Sequence, residues 1–447
     1  MPNLPAGALF LLSRLNACGH QAYVVGGCVR DSLLGRTPKD WDICTSATPE
    51  EMRHAFDGLH VIETGLQHGT LTAVVDHEPY EVTTFRVDGA YTDHRHPDSV
   101  TFVRDVRDDL SRRDFTVNAM AYSPETGLVD AYGGREDLRR RLIRCVGEPS
   151  ARFQEDALRI LRALRFASVY GFAIDPDTAQ AIRQLYPTLR DVAAERIRVE
   201  LDKLLCGTAA EDILRAYPEV FTFLLPEMAP CVGFVQRTAY HRFDVWEHCL
   251  QAVGHVPPDP VLRLTMLLHD SGKPACFTVD AAGIGHARGH PRASRALAEQ
   301  VLTRLKYDNA TRDRVLTLVA CHDVPLEPDP KQLTRRLHQL GEDALRQLIE
   351  VHRADNLAKG TAAPVAVEGW YRHVLLALDE LLAQKPCFTL RDLAARGDDL
   401  AALGIPRGPA LGACLNDLLE QVMDGAVPND RDALLGQAQA WLQQHNT

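Results

Sequence analysis

No apolar run in this chain of 447 residues approaches the roughly 20 residues that a bilayer-crossing helix needs, which excludes membrane proteins built from such helices. The N-terminal MPNLPAGALFLLSRLNACGH has an apolar patch but neither a basic n-region nor a clean small-residue cleavage site. It reads as the start of a helix rather than a signal peptide. Cysteine pairs are missing too: of 11 cysteines no two lie closer than Cys18 and Cys28. That excludes C-x-x-C zinc and redox motifs and points to free thiols in a reducing, cytoplasmic setting. Excess positive charge is absent: 49 Lys and Arg against 60 Asp and Glu give a net charge of −11, which speaks against a uniformly basic nucleic-acid surface. Internal repeats and low-complexity tracts are not found.

What is present is ordinary globular material, 45% hydrophobic and 24% charged, in a chain long enough for two to four domains. Charge varies locally. From Arg135 to Glu200 there are 13 arginines, no lysine and 10 acidic residues, 13 − 10 = +3, a track that could hold RNA with salt-sensitive affinity. Residues 20 to 145 read as α/β, with the strand-like runs AYVV, DWDICT, HVIETG, GTLTAVVDH and PYEVTTFR, the last two forming a hairpin that turns at Asp76-His77-Glu78-Pro79. After Arg152 helical periodicity takes over in ALRILRALRFA, AERIRVELDKLL, VWEHCLQAV, RALAEQVLTRL, ALRQLIEVHRA and ACLNDLLEQVM. Proline-rich joints fall near Pro226, Pro257 and Pro325.

Within VVGGCVRDSLLGRTPKDWDIC, Asp40 and Asp42 stand two apart in an extended segment, so both carboxylates project to one face. Such a pair supplies the oxygen ligands that two Mg²⁺ ions require, and Glu81 on a neighbouring strand adds a third. Gly26-Gly27 lets backbone N–H groups approach a phosphate, and Arg30 is placed to neutralise a triphosphate. Taken singly, D-x-D and GG are most often plain turns; the ordered set is what is specific.

A second cluster, DLSRRDFTVNAMA, carries Arg112, Arg113, Asp114 and Asn118. An Asp accepting from a ribose 2′-OH beside an Arg on phosphate accounts for them, and so does a charged first turn of a helix. In FQEDALRILRALRF, helical spacing sets Glu155, Arg159, Arg162 and Phe166 on one stripe, with Asp156 three residues before Arg159. An Asp156–Arg159 ion pair on a solvated face is one reading. The other is chemical. Cytosine and adenine each present an amine donor beside a ring-nitrogen acceptor, which one carboxylate and one guanidinium answer, whereas guanine and uracil present the opposite pattern.

These motifs, with DAYGGREDL and AAERIRVELDKLL in order across residues 20 to 205, resemble the class II tRNA nucleotidyltransferases, the CCA-adding enzymes, which share a head with bacterial poly(A) polymerases. The resemblance implies an α/β nucleotidyltransferase head, a polymerase-beta-like mixed sheet with helices, followed by an elongated all-α body. It implies Asp40, Asp42 and Glu81 as catalytic carboxylates with two Mg²⁺ ions. Gly26, Gly27, Arg30, Arg113, Asp114, Asn118, Glu155, Asp156, Arg159 and Arg162 would bind nucleotide, with Glu195 and Arg196 bracing the base-reading helix. The partners would be CTP, ATP and the tRNA 3′ end, without a membrane; oligomeric state stays open. ETGLQHGTLTAVV is similar to the CCA-adding rather than the poly(A) pattern, and RVDGAYTDHRHPDSVTF to the flexible loop needed to switch from C to A.

The segments AYHRFDVWEHCLQAV, LRLTMLLHDSGKP, GIGHARGHPRAS, VACHDVPL and VHRADN resemble the HD phosphohydrolases. That implies His248, His269, Asp270 and Asp355 as ligands of Mn, Ni, Fe or Zn, with His286, His290 and His322 as candidates for a second ion. The expected organisation is a head over 1–147, a helical neck over 148–235, an HD domain over 236–360 and a helical, tRNA-binding tail over 361–447. In that tail Gly404, Gly408 and Gly412 are candidate RNA-backbone contacts. Poly(A) polymerase, partial CC or A addition, and a purely hydrolytic HD enzyme are the competing readings.

Overall fold

Four successive apolar residues make β1 (Ala22–Val25), a strand buried along its whole length. It lies inside a seven-stranded sheet with β2 (Ile43–Thr45), β3 (His60–Ile62), β4 (Thr70–Val75) and β5 (Glu78–Thr84); β6 (Arg86–Asp88) and β7 (Val100–Phe102) pair apart from it, and β8 (Ala121–Ser123) and β9 (Gly127–Val129) complete it. The order is β3-β4-β5-β2-β1-β8-β9. β2 and β5 run parallel and the remaining pairs antiparallel, so the sheet is mixed, as expected. This computed structural model describes residues 3–63, 65–66, 69–89 and 99–445. The segments ETGLQHGTLTAVV and RVDGAYTDHRHPDSVTF fall partly outside them.

Two details differ from the sequence reading. Asp40 and Asp42 precede β2 instead of lying in it. The chain turns at Gly26, with φ of 80°, so β1 has no further residue to pair with them, and the last contact is the Val25 N–H donating to the Asp42 carbonyl at 3.0 Å. The β4–β5 hairpin turns on two residues, Asp76 and His77, both in the left-handed region, and Glu78 already pairs with Val75. Positive φ at both central positions is the geometry a tight hairpin demands.

The chain divides into two compact units, Met1–Ala229 with Arg304–Lys306, and Pro230–Thr303 with Tyr307–Thr447. In the first, the helix expected through FQEDALRILRALRF is broken. Pro149–Glu155 ends at Asp156, whose backbone is extended (φ −143°, ψ 104°), and a second helix runs Leu158–Tyr170. The cause is local: Asp156 Oδ1 accepts from the Leu158 N–H at 3.0 Å and so starts a new helix. Ala194–Leu205 packs on the second helix, which stops at Gly171 in the left-handed conformation.

In the second unit, Val245–His255 and Pro260–Leu268 begin at Asp244 and Asp259, whose carboxylates accept from Glu247 and Leu262 N–H groups at 2.7 and 3.0 Å. With Asn309–Cys321 and Glu342–Ala358 they form one packed bundle. A separate core of Leu393, Leu400, Cys414, Leu418 and Leu434 closes the C-terminal end. Gly404 and Gly408 there have φ of 96° and 115°, while Gly412 sits inside the helix Pro409–Met423.

A Cβ on Gly134 of the DAYGGREDL segment would lie 2.2 Å from the Thr116 carbonyl oxygen, so the helix Gly134–Arg140 touches the Thr116–Asn118 turn directly. Gly134→Ala is expected to cost about 1–3 kcal/mol by overpacking, read as a lowered midpoint in urea, and to reduce activity because that turn carries Asn118.

Candidate active sites in the head and the body

The carboxylates of the head meet by register. Ile43 of β2 pairs in parallel with Val82 of β5, which sets Asp42 and Glu81 side by side one residue earlier. Partial desolvation on its protein-facing side, then the charges of Asp40 and Glu81, push the Asp42 carboxyl up to about 6, against the pull of Arg113. Among the described residues these three do not form a closed ligand cluster; they share an edge with surplus negative charge. Hard oxygen donors in that state fit Mg²⁺.

Arg113 stands between the glycine turn and the carboxylates. A Cβ on Gly26 would lie 2.9 Å from Arg113 Nη1. Arg113 Nη2 donates to Asp109 at 3.4 Å, and its buried Nε has no partner. Asp109 is fully buried; against the cost of burial, Arg112 and Arg113 hold it below the usual carboxylate range. The sequence reading missed this anchor, although its spacing of three and four from the two arginines was a legible signal. Arg30 is nearly buried. It pairs with Asp31 at 3.0 Å, donates to Asn118 Oδ1 and lies against Phe166 and Tyr170.

Asp114 is buried and fully engaged: the Phe115 N–H (2.8 Å) and Asn118 Nδ2 (2.9 Å) donate to Oδ1, and Arg162 donates twice to Oδ2 (2.8 and 2.6 Å). Desolvation opposes ionisation, yet Arg162 and Asn118 hold it down to about 2. Asp156 and Arg159 do not pair with each other. Asp156 Oδ2 accepts from Arg196 at 2.8 Å, whereas Arg159 donates to Glu155 at 2.5 Å and to the Arg152 carbonyl at 3.2 Å. Glu195 pairs with Lys306 instead, at 2.7 Å. The arginine stripe extends one step further than read, to Arg165, which with Arg162 faces Glu200.

In the second unit five helices deliver imidazoles and carboxylates to one buried point. His248 Nε2 lies 3.2 Å from His269 Nε2, 3.0 Å from Asp355 Oδ1 and 3.2 Å from Asp270 Oδ2. His290 Nε2 lies 3.1 Å from His322 Nε2 and 3.1 Å from Asp270 Oδ1. Asp270 thus presents one oxygen to each half. Three of these rings spend Nδ1 on a carbonyl three residues back: His269 on Met266 (2.8 Å), His290 on Ala287 (2.8 Å) and His322 on Val319 (2.7 Å). An Nδ1–H so placed leaves Nε2 as a lone pair aimed inward. Facing lone pairs repel unless a cation lies between them. Both Asp270 oxygens, fully buried, lack a well-aimed hydrogen bond despite these short approaches. The donor set fits two divalent transition ions.

Without an ion, charge is balanced locally. Against full burial, His269 and Lys273 hold Asp270 well below the carboxylate range, and Asp270 in turn holds His269 well above the usual imidazole value. Lys273 Nζ lies 2.6 Å from Asp270 Oδ2 and donates to Gln236 at 2.9 Å, and Lys359 pairs with Asp355 at 2.8 Å. His286 is not brought to the cluster. Its Nε2 engages Asp280 at 2.8 Å across the hairpin that joins Thr278–Val279 to Gly285–His286.

The whole chain matches known proteins at length. It is 36% identical over 430 residues to the CCA-adding enzyme of Levilactobacillus brevis, covering 95% of each chain. The chain belongs to the CCA-adding enzyme family. It is likewise 36% identical over 448 residues to the CCA-adding enzyme of Geobacillus stearothermophilus, covering 98% of this chain and 96% of that one. The crystal structure of the Bacillus stearothermophilus CCA-adding enzyme in complex with CTP superposes with a TM-score of 0.72 at 31% identity, covering 98% of both chains. Family models match as the poly A polymerase head domain at residues 22–144, a "Probable RNA and SrmB- binding site of polymerase A" at 171–231, and tRNA nucleotidyltransferase domain 2 at 292–438. Among the described residues no helix is long and apolar enough to cross a membrane.

The raised Asp42 carboxyl predicts a pH-linked response to metal. A carboxyl that titrates near 6 folded and near 3.8 unfolded favours the fold below about pH 4 and withdraws that support as pH rises through 6. Mg²⁺ is therefore expected to raise the melting temperature more at pH 7.5 than at pH 5. Asp42→Asn should remove most of that difference in differential scanning fluorimetry. For the body, metal analysis of protein purified without chelator is expected to find transition metal that His269→Ala loses and Asp42→Asn keeps.

Proposed function

We propose that the chain adds the 3′-terminal CCA to tRNA from CTP and ATP without a nucleic-acid template, releasing pyrophosphate. The observation that carries this reading is the separation of Asp156 from Arg159, each steadied by a different partner. Both can turn to a base edge without first breaking a mutual ion pair. In this reading the tRNA 3′-OH attacks the α-phosphate in line, a new P–O bond forms, and the bond to pyrophosphate breaks. Mg²⁺, when bound, withdraws charge from the reacting phosphate and acidifies the attacking hydroxyl. Asp40 and Asp42 hold it with Glu81 in support, and Arg113 opposes the triphosphate charge beside the Gly26-Gly27 turn. Arg30, Asp114, Asn118 and Arg162 fix the floor under the ribose. Glu155 holds the Arg159 fork in plane, and Arg196 holds Asp156.

The functional parts are taken as head 1–147, neck 148–235, HD domain 236–360 and tail 361–447. The HD part is read as a metal-dependent phosphohydrolase: His248, His269, Asp270 and Asp355 would hold one ion, and Asp270, His290 and His322 a second. Mn, Ni, Fe or Zn suits this donor set. Eleven thiols without a disulfide support a cytoplasmic setting.

The test supplies tRNA transcripts ending before the first C, after it and after the second, with Mg²⁺ and CTP, ATP or both. Growth is expected to stop at CCA and to fall at least 10³-fold in Asp40→Ala, in line with removal of a ligand to a catalytic ion. Arg159→Ala is expected to lower discrimination of CTP and ATP against GTP and UTP. An open-ended A tail, or addition limited to CC or to A, would replace this reading with a sibling activity.

A further inference from the structure

Tyr170 is the last residue of the helix Leu158–Tyr170, half-buried, one position before the left-handed Gly171. It lies beyond the motif FQEDALRILRALRF. Its hydroxyl donates to Asp31 Oδ1 at 2.8 Å. The Asp31 carboxylate also accepts from Arg30 Nε and Nη2 at 3.0 and 3.1 Å, and Arg30 Nη1 donates to Asn118 Oδ1. Asn118 Nδ2 donates to Asp114 Oδ1, and Asp114 Oδ2 accepts from Arg162 of the same helix. The circuit is closed. It leaves the helix at Arg162 and re-enters it roughly two turns later at Tyr170. Among the described residues, Tyr170 is the one side chain outside the helix Gly27–Leu33 that hydrogen-bonds the Asp31 carboxylate. Burial, with the bond to Asp31, pushes the Tyr170 hydroxyl up to about 12 against the pull of Arg30, so it stays a proton donor.

The ring adds to the hydroxyl. The guanidinium carbons of Arg30 and Arg36 lie 4.8 and 4.6 Å from the Tyr170 ring centroid. Phe166 lies 5.0 Å from Arg30 and stacks on Tyr170 with centroids 6.1 Å apart. A guanidinium over a ring is attracted most where water is kept out, and Arg30 is nearly buried. Arg36 is exposed, and its N–H closes a turn onto the Asp31 carbonyl at 2.9 Å, shortly before Asp40. With Tyr170 removed, Asp31 and Arg30 stay paired to each other, but the helix keeps only Phe166 to seat that pair.

We propose that Tyr170 is a positioning residue for nucleotide binding: it seats the Asp31–Arg30 pair and, through Arg30, holds Asn118 at the floor of the ribose site. This rests on the reading of the head as the nucleotide site given above. Tyr170 touches no substrate. Ribose and phosphates are common to all four nucleotides, so Tyr170 governs how tightly any of them binds. Base selection at Asp156 and Arg159 does not pass through it.

The full chain is assayed in Mg²⁺ with tRNA transcripts ending before the first C, for CTP, and after the second, for ATP. Tyr170→Leu is expected to raise the KM of both nucleotides about tenfold, in the range of a partly desolvated contact between guanidinium and ring. The kcat, the KM of the tRNA and the preference for CTP over UTP should stay within about twofold of wild type. Tyr170→Phe, which keeps the ring and loses only the bond to Asp31, should lie between wild type and Tyr170→Leu. A side chain that merely supports the fold would lower the active fraction, and so kcat, with nucleotide KM unchanged. That pattern, or an unchanged KM with unchanged kcat, would overturn the proposal. So would a lost preference for CTP over UTP, which would put Tyr170 in base reading instead. If Tyr170→Leu does not fold, Tyr170→Met, flexible and without a π face, carries the same expectation. Calorimetric titration of the wild type with CTP in Mg²⁺ separates the two levels of the argument. No CTP binding would remove the reading of the head and the proposal together; binding that Tyr170→Leu leaves unchanged removes the proposal alone.

Discussion

The buried carboxylate of Asp114 is the constraint on which the first unit depends. A lone charge at that depth would be prohibitive, and it is tolerated because four donors converge on it. Two of them come from its own turn and two from Arg162 of the helix Leu158–Tyr170. The segment that follows the head's arginine pair is therefore fixed to the helix that follows the break at Asp156. Arg162 and Arg165 pass the constraint on to Glu200 of the helix Ala194–Leu205. Arg30 joins the same network through Asn118. Removing Arg162 would strand the buried Asp114 charge, so the pair fixes the turn of Asp114 and Asn118 against the helix Leu158–Tyr170.

The two sites solve opposite electrostatic problems. In the head the carboxylates stay near solvent and carry surplus negative charge, which an exchangeable hard cation arriving with a triphosphate can neutralise. In the body the ligands are buried, three of the four imidazoles are held in one tautomer by backbone carbonyls, and Asp270 is shared between two halves. Such a site suits a resident ion of the softer, nitrogen-binding kind. There His269 and Lys273 stand as countercharges to Asp270.

Much of this was legible one residue at a time. The order of GG, R-D and D-x-D named the head carboxylates, and His269-Asp270 named the centre of the body cluster. The spacing rule failed where a side chain outvoted it. Helical periodicity runs straight through Phe153–Phe166, yet Asp156 caps the next helix and breaks the first, a choice between two local hydrogen bonds that periodicity does not register. His286, a candidate ligand by the HD resemblance, engages Asp280 across the hairpin instead. Asp109 stands three and four residues before Arg112 and Arg113, a spacing that signals ion pairs but does not tell a buried anchor from a solvated pair.

The sequence by itself determined which chemistries are available: paired carboxylates and glycines in the first 90 residues, arginines without lysine from Arg135 to Glu200, and the His269-Asp270 pair with further histidines around it after residue 240. It also determined the succession of sheet and helices, because burial periodicity and capping are short-range effects. Tertiary structure alone decided the pairings. β2 against β5 placed Asp42 beside Glu81, Arg162 rather than a ribose satisfied Asp114, and Arg196 separated Asp156 from Arg159. The body site needed five helices to converge before its lone pairs could oppose one another. Contacts between residues tens to a hundred positions apart depend on how whole elements pack, and no local pattern encodes that.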